Sequence, residues 1–239
     1  PPRNGGLSRV AFIVSDLMAQ LAEEGELNVF FAVGWHFSGQ FREWLGRSGG
    51  EIIPVLPEVG LTPLLQNFKP DLVISPLFGM KPFVDWEAYQ GIPHIVSMPD
   101  ALVLDKPELF NAEELERRRE IYHQLRLATT VVTLSEDARR SLVRHLELKE
   151  DQILTIPLAG DLPEQALSSD PVGGQQPDDI NPASPYILYP TRNWPHKRHD
   201  LLLRVMREIS LVRSDLNLVL TGWHDEGYLD ELASKYEVP

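Results

Sequence analysis

Cysteine is absent from the 239-residue sequence. A chain without cysteine has no disulfide framework, no thiolate metal site and no cysteine nucleophile. No apolar run approaches the roughly 20 residues that span a bilayer, and the N-terminus lacks the basic and then apolar order of a signal peptide. We therefore expect a soluble protein, with the cytoplasm favoured as its compartment.

Positive charge is scarce, because 22 Lys and Arg stand against 35 Asp and Glu and the formal net charge is −13. A surface this negative repels a phosphate backbone, so we expect no nucleic-acid partner. Common catalytic motifs are also missing: the sequence has no Gly-x-Ser-x-Gly elbow, no Walker lysine loop and no His-Glu-x-x-His. Hydrolase and NTPase interpretations therefore have no support from motifs.

What the sequence does contain is a series of short β-branched runs. Each is nearly apolar throughout, as expected of a strand that is covered on both faces. The runs are residues 27–33, 51–55, 71–75, 93–97, 129–134 and 152–156. Stretches with helical spacing lie between them, and Asn111 and Ser135 have the positions of helix N-caps. Strand and helix in alternation predict an α/β fold with a parallel sheet.

The composition of the sequence changes at residues 161–185, which contain five prolines and a Gly-Gly pair but no aromatic residue. We interpret them as a linker or a long surface loop. The α/β pattern resumes afterwards, with strands at 186–189 and 216–220 and helices at about 200–213 and 226–236. The prediction is therefore an N-terminal domain over 1–160, a linker over 161–185 and the incomplete start of a second domain over 186–239.

Two glycines, Gly5 and Gly6, open the first predicted helix. Glycine lets a backbone pass close to a bound group, and the free N–H groups of a helix N-terminus suit an anion or a sugar hydroxyl. A flexible N-terminal turn is the plainer interpretation. A phosphate-binding glycine loop normally follows a strand, so the first strand of this domain is expected to be missing.

A second candidate site lies between the strand at 186–189 and the following helix, in the segment YPTRNWPHKRHD. Ligands of open α/β sheets bind at the carboxyl ends of strands, where Arg192 and Lys197 can hold a diphosphate. The alternative is a solvated loop in which Trp194 packs on the helix. His196 and His199 are interpreted as loop or capping residues rather than a metal pair.

A third candidate is Asp100, which follows the strand at 93–97. There a carboxylate could bind a hydroxyl or act as a base, although the chemistry alone favours an Asp that only closes a turn. The arginine-rich run ERRRE over 116–120 is interpreted as a solvated helix face.

Taken in order, these segments resemble a GT-B glycosyltransferase of the retaining family 4 type. The resemblance is carried by residues 4–10 (NGGLSRV), 95–110 (IVSMPDALVLDKPELF), 131–137 (VVTLSED), 153–161 (ILTIPLAGD) and 218–222 (LVLTG), and by the spacing of Arg192 and Lys197. It implies two Rossmann-like domains facing a cleft, of which the second holds the donor nucleotide. Pro99 stands where many members have a histidine, so only Asp100 carries over as a catalytic residue.

The resemblance implies transfer of a hexose, with retention of configuration, from a UDP-, GDP- or dTDP-sugar to a glycan or lipid-linked sugar acceptor. No metal or other cofactor is implied: Arg192 and Lys197 would neutralise the diphosphate leaving group, and Gly5 and Gly6 would line the cleft opposite. It further implies a role in polysaccharide or glycolipid assembly, with peripheral membrane association of the full-length enzyme. The chain ends before the family's Glu-x7-Glu segment, so we expect a truncated fragment with little turnover.

Two other functions stay open at this point. One is a catalytically silent GT-B-like module that binds a glycan or a protein partner. The other is a sugar-phosphate epimerase or another Rossmann-like enzyme, which would need an acid/base constellation across the cleft. Self-association is also open, because a domain without its first strand would present an unpaired sheet edge.

Overall fold

The computed structural model describes residues 6–56, 58–76, 89, 91–158, 184–192, 194–222 and 227–236. The chain divides into two compact units, Pro1–Ala159 and Gly160–Pro239. The predicted linker over 161–185 falls almost wholly outside the described residues, and so does Gly5. None of the described helices is long and apolar enough to cross a membrane.

The first unit alternates helices and strands, as the sequence pattern predicts. Its helices are α1 (Gly6–Glu23), α2 (Ser38–Leu45), α3 (Thr62–Phe68), α4 (Leu102–Asp105), α5 (Ala112–Leu125) and α6 (Glu136–Leu146). Its strands are β1 (Phe30–Gly34), β2 (Glu51–Val55), β3 (Val73–Ser75), β4 (His94–Ser97), β5 (Thr130–Thr133) and β6 (Ile153–Thr155). All six predicted strands are present, with ends that differ by up to three residues.

The strands of this unit pair in parallel, so the predicted α/β class with parallel sheets is confirmed. β3, β4, β5 and β6 form one sheet in that order, whereas β1 pairs with β2 in a separate sheet. Parallel pairing brings the carboxyl ends of neighbouring strands to one edge, where the loops that can meet a ligand begin.

The core of the first unit lies on one face of the four-stranded sheet, beneath α5 and α6. Val96 and Val131 on the strands and Leu125 and Leu142 on the helices are fully buried. Each such side chain contributes about 1.5–3 kcal/mol by leaving water. A second cluster joins α1, β1 and α2, where the Phe12 and Trp44 ring centroids are 4.2 Å apart and those of Phe31 and Phe41 are 5.6 Å apart.

Both predicted N-caps are confirmed. The Asn111 side-chain oxygen accepts a hydrogen bond of 2.8 Å from the Glu114 backbone N–H at the start of α5. Ser135 accepts one of 3.1 Å from the Ala138 N–H at the start of α6. Each cap satisfies a backbone donor that the helix leaves without a partner.

The second unit contains β7 (Tyr186–Pro190), α7 (His199–Ser210), β8 (Asn217–Thr221) and α8 (Tyr228–Tyr236). β7 and β8 pair in parallel, and α7 packs against α8. Leu203 and Met206 are buried on the inner face of α7. The helix ends at Ser210, three residues before the predicted end at Arg213.

The expectation that the six apolar runs are covered on both faces is wrong for β1 and β6, where Phe30 and Leu154 are 36% and 51% exposed. β7, the strand predicted at 186–189, is also exposed over most of its length. Tyr186 and Leu188 are 52% and 50% exposed, and Ile187 is 36% exposed. The apolar run reports strand propensity, which comes from the shapes of β-branched and aromatic side chains and does not require burial. The four-stranded sheet of the first unit, in contrast, does bury its central strands.

Candidate functional site

The Arg192 and Lys197 candidates lie on one loop of the second unit, over residues 191–198 between β7 and α7. Asn193 lies outside the described residues. The loop starts at the carboxyl end of β7, where the Thr191 N–H donates to the Thr221 carbonyl at 2.8 Å. This is the edge of a parallel sheet at which open α/β folds bind ligands.

A ring contact holds the Arg192 side chain, and a hydrogen bond from β7 holds the Lys197 backbone. The Arg192 guanidinium carbon lies 5.9 Å from the centre of the Trp194 ring, within reach of a cation–π interaction. The Lys197 carbonyl accepts a hydrogen bond of 2.6 Å from the Tyr189 hydroxyl, which ties the loop back to β7. Both residues are half-buried, so their charged ends can meet an anion without a large loss of side-chain freedom.

A close backbone approach completes this edge of the sheet. Gly222 follows β8 with φ +128°, and a Cβ atom there would lie 2.5 Å from the Thr191 carbonyl oxygen. A side chain would therefore displace the start of the loop that carries Arg192. Glycine at 222 lets the segments that follow β7 and β8 lie in direct contact.

His199 is not the loop or capping residue that the sequence indicates. It is 1% exposed and contacts the rings of Tyr189 and Tyr228 edge-on, at centroid distances of 5.5 and 6.1 Å. The imidazole thus fills the space behind the loop. No sequence signal distinguishes this histidine from His196, because only the fold brings the two tyrosines to it.

The charge beside His199 is already paired. Arg198 has φ +53° and donates two hydrogen bonds, of 2.9 and 3.0 Å, to the Asp200 carboxylate. This guanidinium holds the pKa of Asp200 below its usual value. The charge of Arg198 is therefore neutralised by Asp200 in the first turn of α7. The neighbouring Lys197, in contrast, forms no ion pair with a described residue.

Asp100 belongs to the first unit and lies in the loop after β4. Its carboxylate is exposed and accepts a hydrogen bond of 3.2 Å from the Leu102 N–H, so the turn-closing role is present. The charge of this carboxylate also influences the pKa of Tyr122 on α5. Burial raises the pKa of Tyr122 to about 12, the charge of Arg118 opposes that rise and the charge of Asp100 adds to it.

The arginine-rich run on α5 is only in part the solvated face that the sequence predicts. Arg117 and Arg118 both bond Glu114, at 2.7–2.8 Å, and the Arg118 side chain is only 22% exposed. The two guanidinium groups hold the pKa of Glu114 at about 2. Arg119 and Glu116, at 75% and 78% exposed, do form the expected solvated pair.

Gly6 is the first residue of α1, as the sequence predicts, and the position of Gly5 lies outside the described residues. The role of these glycines in binding a phosphate or an acceptor stays a prediction. The structure thus places Arg192 and Lys197 on one loop of the second unit. It places Asp100 in the first unit, in the loop that follows the carboxyl end of β4.

A shallow depression of about 210 Å³ lies along α6. It is lined by Arg139, Arg140, Val143, Arg144 and Glu150. Arg139 pairs with Glu136 and Glu150, and Arg140 pairs with Asp137. The acidic first turn and basic later turns complement the helix dipole, as the sequence indicates.

The structure shows two groups of residues that the sequence analysis does not predict. One is a buried cluster in which His94 stacks on Tyr89 and bonds Ser75 at 2.9 Å. The other is a short 3₁₀ helix, Trp35–Phe37, that directly follows β1 and exposes its aromatic side chains. Its signal in the sequence is three consecutive ring-bearing residues after a strand.

No protein-family model and no curated protein matches the sequence. Among solved structures, the chain is similar to a crystal structure of TarM from S. aureus in complex with Fondaparinux, alpha-GlcNAc-glycerol and UDP. The identity is 12% and the TM-score 0.47 over 74% of this chain and 34% of that one. It is also similar to a putative UDP-N-acetylglucosamine 2-epimerase from Listeria monocytogenes, with 17% identity and a TM-score of 0.48 over 96% and 63% of the two chains. The chain therefore spans about a third of the first protein and less than two thirds of the second.

Proposed function

We propose that the chain is part of a GT-B glycosyltransferase of the retaining family 4 type. In this proposal the second unit holds the diphosphate of a nucleotide-sugar donor and the first unit faces a glycan or lipid-linked acceptor. The reaction breaks the bond between the anomeric carbon and the donor phosphate. It forms a bond from that carbon to an acceptor oxygen on the same face of the sugar, and the acceptor proton leaves with the nucleoside diphosphate.

The observation that carries the proposal is the loop over residues 191–198. Its two cationic residues, Arg192 and Lys197, follow the carboxyl end of a parallel strand. The Arg192 guanidinium lies beside the Trp194 ring, and the backbone of Lys197 is tied to β7 by the hydrogen bond from Tyr189. Negative charge grows on the leaving diphosphate as its bond to the sugar breaks. Fixed cations stabilise that charge more in the transition state than in the ground state, which lowers the barrier.

The proposal needs no metal, because the two side chains supply the positive charge that a divalent cation would otherwise supply. Arg192 can donate two parallel hydrogen bonds to phosphate oxygens, and Lys197 adds a compact point charge. Asp100 is proposed to accept a hydrogen bond from a sugar hydroxyl, since its carboxylate is exposed and its Leu102 contact occupies only one oxygen.

Calorimetric titration with UDP, GDP and dTDP tests the proposal. We expect one nucleoside diphosphate to bind best, and we expect Arg192→Ala and Lys197→Ala each to weaken its binding about ten- to a hundredfold, the worth of a hydrogen bond to a charged group. Arg204→Ala is the matched control, because Arg204 is exposed on α7 in the same unit and its loss changes the net charge equally.

Equal losses in all three variants would show that only net charge matters and would contradict a site at this loop. Absence of binding by all three nucleotides to the folded wild-type chain would also overturn the proposal. The cytoplasmic location and the role in polysaccharide assembly stay predictions.

A further inference from the structure

The exposed aromatic turn after β1 is the feature of the first unit that the proposed function leaves unexplained. Trp35 and Phe37 are 59% and 50% exposed, and the ring of His36 lies 5.2 Å from that of Phe37. Large aromatic side chains bury 150–250 Å² each when they pack against a partner. Two of them exposed within three residues therefore leave apolar surface that a ligand could bury.

The turn is held in a defined conformation. Ser38, the first residue of α2, donates to the Trp35 carbonyl from both its backbone N–H and its hydroxyl, the latter at 2.8 Å. The backbone on which the rings are presented is therefore fixed before any ligand binds, which lowers the entropic cost of binding.

The turn also lies at the ligand-binding edge of its sheet. β1 and β2 are parallel and Gly34 is paired with Val55, so the segments that follow both strands begin side by side. After β2, Leu56 and Val59 are 46% and 52% exposed, and a hydrogen bond of 3.1 Å between their backbones closes a second turn. Aromatic and aliphatic groups with a few polar ones at the carboxyl ends of parallel strands are typical of a ligand site.

Charge decides which ligand fits. Residues 27–41 contain no Asp, Glu, Lys or Arg and form the longest uncharged run in a chain that is 24% charged. The residues next to the rings in the sequence carry polar groups: the His36 imidazole, the Ser38 hydroxyl and the Gln40 amide. Residues 35–41 offer no positive charge to an anionic membrane or a polyanion, the exposed Glu58 after β2 adds a negative charge, and the net charge of −13 would repel both.

A neutral sugar ring matches these properties. One face of a pyranose presents C–H groups, whose partial positive charge suits the negative face of an aromatic ring, and its rim carries hydroxyls for neutral hydrogen-bonding groups. We propose that Trp35 and Phe37 form a stacking platform for a neutral pyranose unit of the acceptor. This inference rests on the proposed function, because it names the chemistry of the acceptor in that reaction.

Fluorine NMR of the 239-residue chain labelled with 5-fluorotryptophan tests the platform. The probes are methyl α-glucoside, methyl α-mannoside, N-acetylglucosamine and maltose. We expect the Trp35 resonance, assigned by its loss in Trp35→Phe, to shift with at least one of them. Trp35→Ala and Phe37→Ala should each weaken that saccharide about tenfold or more, whereas Trp35→Phe, which keeps a ring, should weaken it less.

Leu127→Ala is the matched control, because Leu127 is a 66% exposed apolar residue of the same unit outside both sites. Circular dichroism verifies that each variant is folded. Saccharide binding that is equal in wild type and both alanine variants, or no saccharide binding by the wild type, overturns the platform. A sedimentation experiment in which Trp35→Ala only dissociates a dimer also overturns it, since the rings would then cover a second copy.

Titration of the same samples with UDP, GDP and dTDP separates this inference from the proposed function. Trp35-dependent saccharide binding with no nucleotide binding supports the platform and overturns the transferase. Nucleotide binding that requires Arg192 and Lys197, with no saccharide binding at Trp35, overturns only the platform.

Discussion

At the scale of single residues, burial separates the side chains that hold the fold from those that can meet a ligand. His94 and His199 are 2% and 1% exposed and contact tyrosine rings within their own units. Trp35 and Trp194, at 59% and 50%, leave much of their surface to solvent. The two kinds of residue therefore call for different tests, of stability for the histidines and of binding for the tryptophans.

His94 should make the stability of the first unit depend on pH. Burial lowers the pKa of its imidazole from 6.5 to about 4, so the native state resists protonation that the unfolded chain accepts. Stability is complete above pH 6.5 and falls as the pH decreases toward 4, by roughly 3 kcal/mol at most. Urea unfolding at several pH values measures this loss.

The control for this prediction is His94→Gln, which removes the titrating group and retains a partner for Ser75. We expect the variant to be less stable at pH 7 and to have a flatter pH profile, so that the difference between the profiles isolates His94. An NMR titration in which the His94 ring protonates near pH 6.5 in the folded protein would contradict the prediction.

At the scale of helices and strands, the sequence predicts the elements well because their signals are local. The N-caps at Asn111 and Ser135 and the runs that become β2 and β4 all depend on neighbours within a few residues. Burial is not local, which is why the exposure of β7 could not be predicted from its apolar sequence.

Ser135 offers a test of this local control. Its hydroxyl accepts a hydrogen bond from the Ala138 N–H, and Ser135→Ala leaves that donor without its cap. We expect a loss of about 1 kcal/mol in the free energy of unfolding, measured by urea denaturation. Ser135→Asp, which supplies a carboxylate at the same position, should retain most of the stability. A loss of the same size in both variants would exclude capping as the cause.

At the scale of the whole molecule, the sequence predicts where the candidate residues lie along the chain but not what surrounds them. Arg192 and Lys197 are found on the predicted loop after a strand, because strand ends can be located from the pattern. The contact between Gly222 and Thr191 joins residues 31 positions apart, and the hydrogen bond between Ser75 and His94 depends on the register of β3 and β4. Such contacts arise from tertiary packing, which periodicity does not encode.

Charge is also a property of the whole chain. With a net charge of −13, an anionic ligand meets long-range repulsion and must be held by local cations. The loop over 191–198 can supply them, since its two half-buried cations follow the end of a parallel strand.

A nucleotide site on the loop over 191–198 is tested most sharply by amide spectra of the ¹⁵N-labelled chain, recorded while UDP, GDP and dTDP are added in turn. We predict that the largest shift changes occur at residues 191–198 and at Gly222, and that Arg192→Ala needs about ten to a hundred times more nucleotide to produce them. Shift changes confined to other parts of the chain, or none with any of the three nucleotides, would contradict this prediction.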